Sequence, residues 1–446
     1  MSTKTENGQN GNVIAIITMI FLFAMISFVT NLAAPIGVIW KSQPELEGSN
    51  FLGMMGNMMN FLAYLFMGIP AGKLLTKIGY KKTALVAIAV GLLGVFVQYL
   101  SGVLGVGAVL FNLPANWFIY LIGAFIAGFS VCMLNTVVNP MLNLLGGGGK
   151  KGNQLLQVGG TFNSLSATLT PMFVGALIGQ VTKDTAISNV NPVLFIAMAV
   201  FAAAFVILSF IPIADPKQAK TGTNVVFEHS VWSFRHLVFG AIGIFIYVGI
   251  EIGIPGTLNF FLADKSENGG GLNPENAATI AGFVAGTYWF MMLIGRFFGG
   301  LVGGKVSSKA QLTFVSVLGL IFVGLFIFLP VSLKASMPVF KGSAGFGLEQ
   351  VPLGALFLVL CGLCTSVMWG GIFNLATEGL GKYTAQGSGI FMTMVVGGGI
   401  LPLIQNKLAD ITNYHVSYIV IILGLAYLLW YALLGCKNVN PEIPVD

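Results

Sequence analysis

Ala71-Gly72-Lys73-Leu74, with Lys77 and Lys81 following, closes one apolar run, and Gly299-Gly300-Leu301-Val302, with Lys305 and Lys309 following, closes another in the same way. Each segment ends the second long apolar run of its half of the chain. A second echo links Asn139–Asn163 to Phe373–Met392: a helix end, a turn bearing glycine and lysine, then a glycine-rich helix start. Internal repeats of this kind imply two similar bundles, a substrate site near the midplane between them, and alternating access by rocking of one bundle against the other.

Working outward from these repeats, the first half carries apolar runs at 13–40, 49–75, 83–105, 117–145, 153–181 and 191–213. The second carries 235–263, 275–303, 310–333, 351–380, 384–410 and 415–436. Runs of about twenty residues cross ~30 Å of hydrocarbon at about 1.5 Å per residue. In lipid each backbone group must find its partner inside its own segment, which makes such runs helices. The expected fold is therefore all-α, twelve transmembrane helices in two six-helix bundles, at 1–213 and 235–446. The polar stretch 214–234, with Asp215, Lys217, Lys220 and Glu228, reads as a cytoplasmic linker.

Composition agrees. The 446 residues are 56% hydrophobic and 8% charged, too little charge to cover a soluble fold of this length. The 59 glycines suit close helix packing in lipid. The net charge of +6 gathers in short clusters between apolar runs, a membrane pattern and no nucleic-acid footprint. With the N-terminus inside, fourteen basic residues fall on one side (Lys4, Lys73, Lys77, Lys81, Lys82, Lys150, Lys151, Lys217, Lys220, Arg235, Lys305, Lys309, Lys382, Lys437) and six on the other (Lys41, Lys183, Lys265, Lys334, Lys341, Lys407). That bias places both termini in the cytoplasm. The first run lacks a small-residue cleavage site and reads as a helix, not a leader. No Asn-x-Ser/Thr sequon occurs, which fits a bacterial inner-membrane protein, and a monomer is expected. Cys132, Cys361, Cys364 and Cys436 all lie in apolar runs and read as packing residues.

Ionisable residues inside the spans are costly and are functional candidates by default. Glu251 stands near the middle of the seventh run. It is the expected proton-coupling or substrate-binding group. Arg296 lies about seven residues from the cytoplasmic end of the eighth run, roughly 10 Å in at 1.5 Å per residue. Glu251 stands much higher, so the expected partner of Arg296 is Glu378, in a bridge that helps close the cytoplasmic side. Amides form the other signal. Asn135, Asn139 and Asn143 repeat at i, i+4 and i+8, on one helix face. Asn31, Asn57, Asn60, Asn163, Asn259 and Asn374 add others. A carboxamide offers both a donor and an acceptor, the match to a sugar hydroxyl. Asn31, Asn57, Asn135, Asn139, Asn163 and Asn374 are taken as substrate ligands, and Asn143 and Asn259 as helix glue. Tyr288, Trp289 and Trp369 are candidate stacking surfaces.

No nucleophile–base pair, metal-ligand cluster or cofactor motif stands out, so no enzyme, metal or cofactor is expected. Gly146–Gly149 before Lys150 lacks a P-loop's leading glycine (Leu144) and its following Ser or Thr.

The segment Pro70–Lys82 resembles the loop between helices two and three of the major facilitator superfamily, and more narrowly that of the fucose–galactose–glucose:proton symporter family, with Thr76 at the usual acidic position. Asn139-Pro140, Thr161-Phe162-Asn163-Ser164, Tyr247-Val248-Gly249 before Glu251, Ile294-Gly295-Arg296-Phe297, and Gly387-Ser388 with Gly397-Gly398-Gly399 continue the resemblance in order. It implies a proton-coupled importer of a neutral monosaccharide. The family ties coupling to carboxylates in helices one and four. The matching positions here are Asn31 and Asn135, and asparagine does not titrate. Coupling therefore falls to Glu251 or is absent. The alternatives are a uniporter, a sodium-coupled transporter, an exporter of drugs or metabolites, and a membrane sensor.

Overall fold

The computed structural model describes residues 3–46, 48–146, 149–179, 181–182, 184–211, 229–302, 306–380, 383–438 and 443. Most of the expected linker, residues 214–228, lies outside these, as do Lys183, Lys305 and Lys382.

Among the described residues, twelve helices are long and apolar enough to cross a membrane. They are α1 (Val13–Ser42), α2 (Asn50–Ile78), α3 (Tyr80–Leu100), α4 (Ala115–Leu145), α5 (Val158–Ile178), α6 (Ile187–Phe210), α7 (Arg235–Ala263), α8 (Ala277–Gly299), α9 (Ser308–Phe328), α10 (Leu353–Thr377), α11 (Gly389–Ile411) and α12 (Tyr414–Gly435). Twelve crossings return the chain to the side on which it began, here termed the terminal side. Across the midline α5 packs on α8, α2 on α11, and the end of α1 on α7.

Several helices are broken, each at an identifiable residue. In α1 the regular helix stops at Asn31 and resumes at Ala33. Pro35 has no N–H to offer the Asn31 carbonyl four residues back, so that turn cannot close normally. In α10 the break falls between Thr365 and Met368. There Thr365 Oγ1 bonds back to the Cys361 carbonyl at 3.2 Å and Ser366 Oγ to that of Leu363 at 2.6 Å, competing with the helical ladder. In α11 the break precedes Gly397-Gly398-Gly399. A Cβ on Gly397 would sit 1.9 Å from the Phe245 carbonyl oxygen, so only glycine lets α11 approach α7 this closely.

On the side away from the termini, the connections are partly β. The sequence reading ran α3 on to residue 105. The helix ends at Leu100, and a short hairpin, β1 (Val109–Leu110) with β2 (Leu113–Pro114), follows. A longer antiparallel hairpin, β3 (Lys334–Phe340) with β4 (Phe346–Pro352), joins α9 to α10. It buries Met337, Val339 and Val351 and leans on α8 through Phe346, 6.0 Å from Phe283.

Candidate functional site

The central polar feature is a cluster around Glu251 on α7. Arg296 Nη2 on α8 lies 3.7 Å from Glu251 Oε1. Tyr247, one turn before Glu251 on α7, is buried on the same face of the helix. The same guanidinium reaches into the first half, where Nη1 donates to the Ser164 hydroxyl and the Gly160 carbonyl of α5, each at 2.9 Å. Arg296 thus holds a carboxylate in one half and two acceptors in the other. The expected Arg296–Glu378 bridge is not present. Glu378 is exposed, and its backbone carbonyl is the partner of His236 Nε2 at 3.0 Å. The side chains of Arg296 and Glu251 keep 17% and 14% of their surface open, enough for a small ion or water to reach them.

Facing this cluster from the first half is a hydrogen-bonded chain. Asn139 Nδ2 donates to Asn135 Oδ1 at 3.4 Å, and Asn135 Nδ2 donates to the Tyr64 hydroxyl at 2.7 Å. Trp369 is half-buried on α10, with its ring 6.1 Å from that of Tyr247.

A pocket of about 20 Å³, room for about one water, lies between the halves, beyond the Glu251 cluster from the terminal side. Asn31 and Asn57 line it from the first half, and Pro255, Asn259 and Trp289 from the second. Asn31 Nδ2 is held by the Ser27 carbonyl and Asn57 Nδ2 by the Gly398 carbonyl, each at 2.9 Å.

The structure does not bring the remaining candidates to either place. The Tyr288 ring is fully buried within the second half, its hydroxyl 2.8 Å from Thr365 Oγ1. Its neighbour Trp289 takes the cavity position, because adjacent residues point about 100° apart around a helix. Asn374, exposed on α10, turns to the Ser308 hydroxyl on α9 at 3.3 Å. Asn163 spends its amide on the Phe23 carbonyl of α1 at 2.8 Å, a bond within the first half.

The far end is shut by a network that sequence reasoning missed. Lys41 on α1 donates to Asn50 Oδ1 at 2.7 Å and to the Tyr414 hydroxyl at 2.9 Å, and lies 3.7 Å from Asp264 Oδ2. The Tyr414 oxygen is itself 2.8 Å from both Asp264 Oδ2 and Asn50 Oδ1. Asp410, at the end of α11, caps the start of α2. Its carboxylate accepts the backbone N–H of Asn50 and Phe51 at 2.8 and 2.9 Å and the Ser49 hydroxyl at 2.7 Å. A carboxylate at a helix N-terminus satisfies orphan N–H groups and the positive end of the dipole. Here acid and helix come from opposite halves, so the cap also clamps them. Burial pushes the Asp264 carboxyl up, but the Lys41 ammonium, with the Ser266 N–H and the Tyr414 hydroxyl, outweighs it and holds the group below the usual carboxylate range. The signal was three charges at span ends, which read alone as ordinary solvated residues.

Relatives agree with this architecture. The chain is 29% identical over 446 residues to a glucose/galactose transporter of Brucella abortus, covering 98% of each. It is 23% identical to the L-fucose-proton symporter of Escherichia coli, covering 88% of this chain and 85% of that one. Its fold is similar to the crystal structure of a transporter, FucP, in the outward conformation, with a TM-score of 0.66 and 19% identity over 96% of this chain and 100% of that one. The model of the Major Facilitator Superfamily matches residues 16–402, and the chain belongs to that superfamily.

Proposed function

We propose that this chain imports a neutral monosaccharide by alternating access, coupled to protons through Glu251. In this reading 1–213 and 235–446 are the rocking bundles and 214–234 is their linker. The terminal side is cytoplasmic, the membrane is the bacterial inner membrane, and the chain works as a monomer. Supporting it are relatives named for glucose, galactose and fucose transport and the excess of basic residues on the terminal side.

One observation carries the reading: Arg296 is shared between Glu251 of α7 and the Ser164 and Gly160 oxygens of α5. A proton on Glu251 cancels the charge that holds Arg296 from the second half. The guanidinium is then left on the first half alone, and the tether between the bundles is redistributed. A site that must be neutralised before the bundles rock converts a proton gradient into a direction of transport. Lipid-facing spans supply the frame and polar residues between the bundles the chemistry, as expected of midplane sites.

Uptake of radiolabelled galactose and glucose into proteoliposomes, with and without an inward proton gradient, tests this. Accumulation above equilibrium only with the gradient is the expected result. The second reading, uniport or sodium coupling, rests on Asn31 and Asn135, which cannot titrate. Accumulation driven by sodium at constant pH, or none under any gradient, would establish it instead.

A further inference from the structure

We infer that the β1–β2 hairpin between α3 and α4 is a membrane foot. Val109, Leu110 and Phe111 dock into the far leaflet at the boundary of headgroups and acyl chains, by apolar contact and without a charged partner. The inference concerns how the first half is held in the bilayer, and it stands apart from what the chain carries.

Composition sets this connection apart. No charged residue lies between Lys82 and Lys150, a stretch that holds α3, the hairpin and α4. The far-side connections after α1, α5, α7 and α9 differ, for they carry Glu45, Asp184, Glu267 and Lys334. In the α3–α4 connection Val103, Leu104, Val106, Val109, Leu110 and Phe111 are between 46% and 83% exposed. A contiguous exposed apolar patch marks a surface that something covers.

The geometry identifies what covers it. The hairpin does not stand away from the bundle. Its tip residue Phe111 packs edge-on against Phe118, with ring centroids 6.4 Å apart at 75°, and Phe118 lies in the first turn of α4. The Trp117 ring is 5.2 Å from that of Phe118. Gly105, at φ +73°, turns the connection down onto the start of α4, where a Cβ on it would sit 3.1 Å from the Asn116 backbone nitrogen. Asn116 Nδ2 donates to the Ser101 carbonyl at 3.0 Å and ties the root of the connection. The tip is thus level with Trp117 and with Tyr99 in the last turn of α3, and such aromatic residues mark the boundary of water and lipid. On both sides the chain leads into exposed apolar side chains of spanning helices, Leu93 and Phe96 of α3 and Ile122 of α4, which face acyl chains.

The backbone suits a layer poor in water, where N–H groups need partners within their own segment. The N–H groups of Val103 and Leu104 donate to the Leu100 carbonyl at 3.0 and 2.7 Å, that of Ala108 to Gly105 at 3.2 Å, and that of Ala115 to Ala108 at 2.8 Å. Phe111 and Asn112 form the two-residue turn, at φ +52° and +62°. Turns of this hand favour Asn-Gly, and a bulky residue in the left-handed region is unusual. A ring placed there at 83% exposure is unfavourable in water and favourable in lipid. A second copy of the chain fits less well. A stable contact needs about 800 Å² per partner, and a hairpin of two-residue strands offers only a ridge. With no cation in the connection, nothing selects anionic lipid. The counterpart hairpin of the second half, β3–β4, carries the Lys341–Glu349 pair at 2.7 Å and leans on α8 instead.

The experiment is site-directed spin labelling of the full-length protein in proteoliposomes. Nitroxides are placed on Phe111→Cys, on Leu93→Cys as a lipid-facing reference, and on Glu267→Cys, an exposed site, as an aqueous one. The four native cysteines are buried, and unsubstituted protein carried through the same labelling gives their contribution. Power saturation with oxygen and with a water-soluble nickel chelate reads each site. At Phe111→Cys the ratio of oxygen to nickel accessibility is expected to lie severalfold above that of Glu267→Cys and toward that of Leu93→Cys. It is expected to be the same in phosphatidylcholine vesicles with and without phosphatidylglycerol. A ratio equal to that of Glu267→Cys places the hairpin in water and overturns the inference. Low accessibility to both reagents with a dipolar-broadened spectrum puts a second copy on the hairpin and also overturns it. A ratio that rises only with phosphatidylglycerol overturns the apolar contact. Leu110→Cys, read with and without Phe111→Asp, supplies a second arm. The charged tip is expected to lower the ratio severalfold, because an ionised carboxylate resists transfer out of water. An unchanged ratio, in protein that stays monodisperse on gel filtration, overturns docking by the tip.

Discussion

Arg296 Nη2 and Glu251 Oε1 lie 3.7 Å apart, although the two residues occupy different levels on adjacent antiparallel helices. Cβ bonds tilt toward the N-terminus of a helix. The N-terminus of α7 is on the terminal side and that of α8 on the far side. Glu251 therefore leans toward the terminal side while Arg296 leans toward the midplane, and the two side chains close the gap from both ends. Counting rise along each axis alone places them apart. The pair is also partly open, at 14% and 17%, which suits a group that exchanges protons.

Glu251→Gln is isosteric and cannot titrate. It is expected to abolish gradient-driven accumulation while leaving exchange of labelled for unlabelled sugar within about threefold of the wild type, because carrying sugar across needs rocking but no net proton. Counterflow and gradient-driven uptake, measured on one preparation, check this. Accumulation that survives the substitution would falsify the coupling assignment.

Arg296→Ala removes the partner and strands a carboxylate. Loss of one member of a buried pair costs about 3–5 kcal/mol, and the partial exposure here puts the value toward the lower end. Arg296→Ala is therefore expected to be less stable than Arg296→Ala with Glu251→Gln, in which no charge is left alone. Melting temperatures of the single and double variants in detergent give the comparison. A double variant no more stable than the single one counts against a direct pair.

Lys41, Asn50, Asp264, Asp410 and Tyr414 clamp the far side through bonds that each join the two halves or feed one that does. Lys41→Met and Asp410→Asn are expected to open this side. A single cysteine placed at Met54, buried beneath the clamp, then reacts with a membrane-impermeant maleimide about tenfold faster, the factor that corresponds to roughly 1.4 kcal/mol of shifted balance. Labelling rates equal to those of the parent would remove the clamp from the account.

The same clamp has a predicted pH limb. The folded Asp264 carboxyl lies below its free value of about 3.9. A depressed acid contributes stability above its unfolded value and loses it as pH falls through the folded one. Closure is thus expected to be flat from about pH 5 to 8 and to weaken below about pH 4. Maleimide labelling of the same cysteine in a Glu251→Gln background, which removes the central carboxylate and leaves Asp264 and Asp410 on the clamp, reads this. Asp264→Asn is expected to erase the acid limb, and a limb that persists in that variant assigns it elsewhere.

How much of this was legible beforehand follows from what each feature depends on. The spans depend on hydropathy and length, which are local, so all twelve were visible. The β3–β4 hairpin was not, because its seven-residue strands carry apolar side chains at alternate positions only where they lean on α8. The amides were visible as residues but not as partners. Asn163 and Asn259 look alike in sequence, yet one is consumed by the Phe23 carbonyl and the other faces a pocket. Tyr288 and Trp289 are neighbours, and only the rotation of α8 decides which meets the cavity. Lys41, Asp264 and Asp410 are separated by up to several hundred residues, and nothing local marks them as one network.

Two glycines separate conformational balance from stability. A Cβ on Gly282 of α8 would sit 2.4 Å from the Pro171 carbonyl oxygen of α5, a contact between the halves. A Cβ on Gly397 would sit 1.9 Å from the Phe245 carbonyl oxygen, a contact within the second half. Backbone does not yield as a flexible side chain does, and overpacking of this kind costs about 1–3 kcal/mol or more. For Gly282→Ala the cost falls only on the conformation in which α5 and α8 close together, and rocking relieves it. That variant is expected to keep its melting temperature within a few degrees and to label faster from the far side. Gly397→Ala has no such escape, because in the proposed rocking α7 and α11 belong to one body. It is expected to lower the melting temperature by several degrees with little change in labelling of whatever remains folded. Thermal unfolding and maleimide labelling on both variants form one experiment, and the reverse pattern would show that the boundary between rocking bodies does not run between α5 and α8.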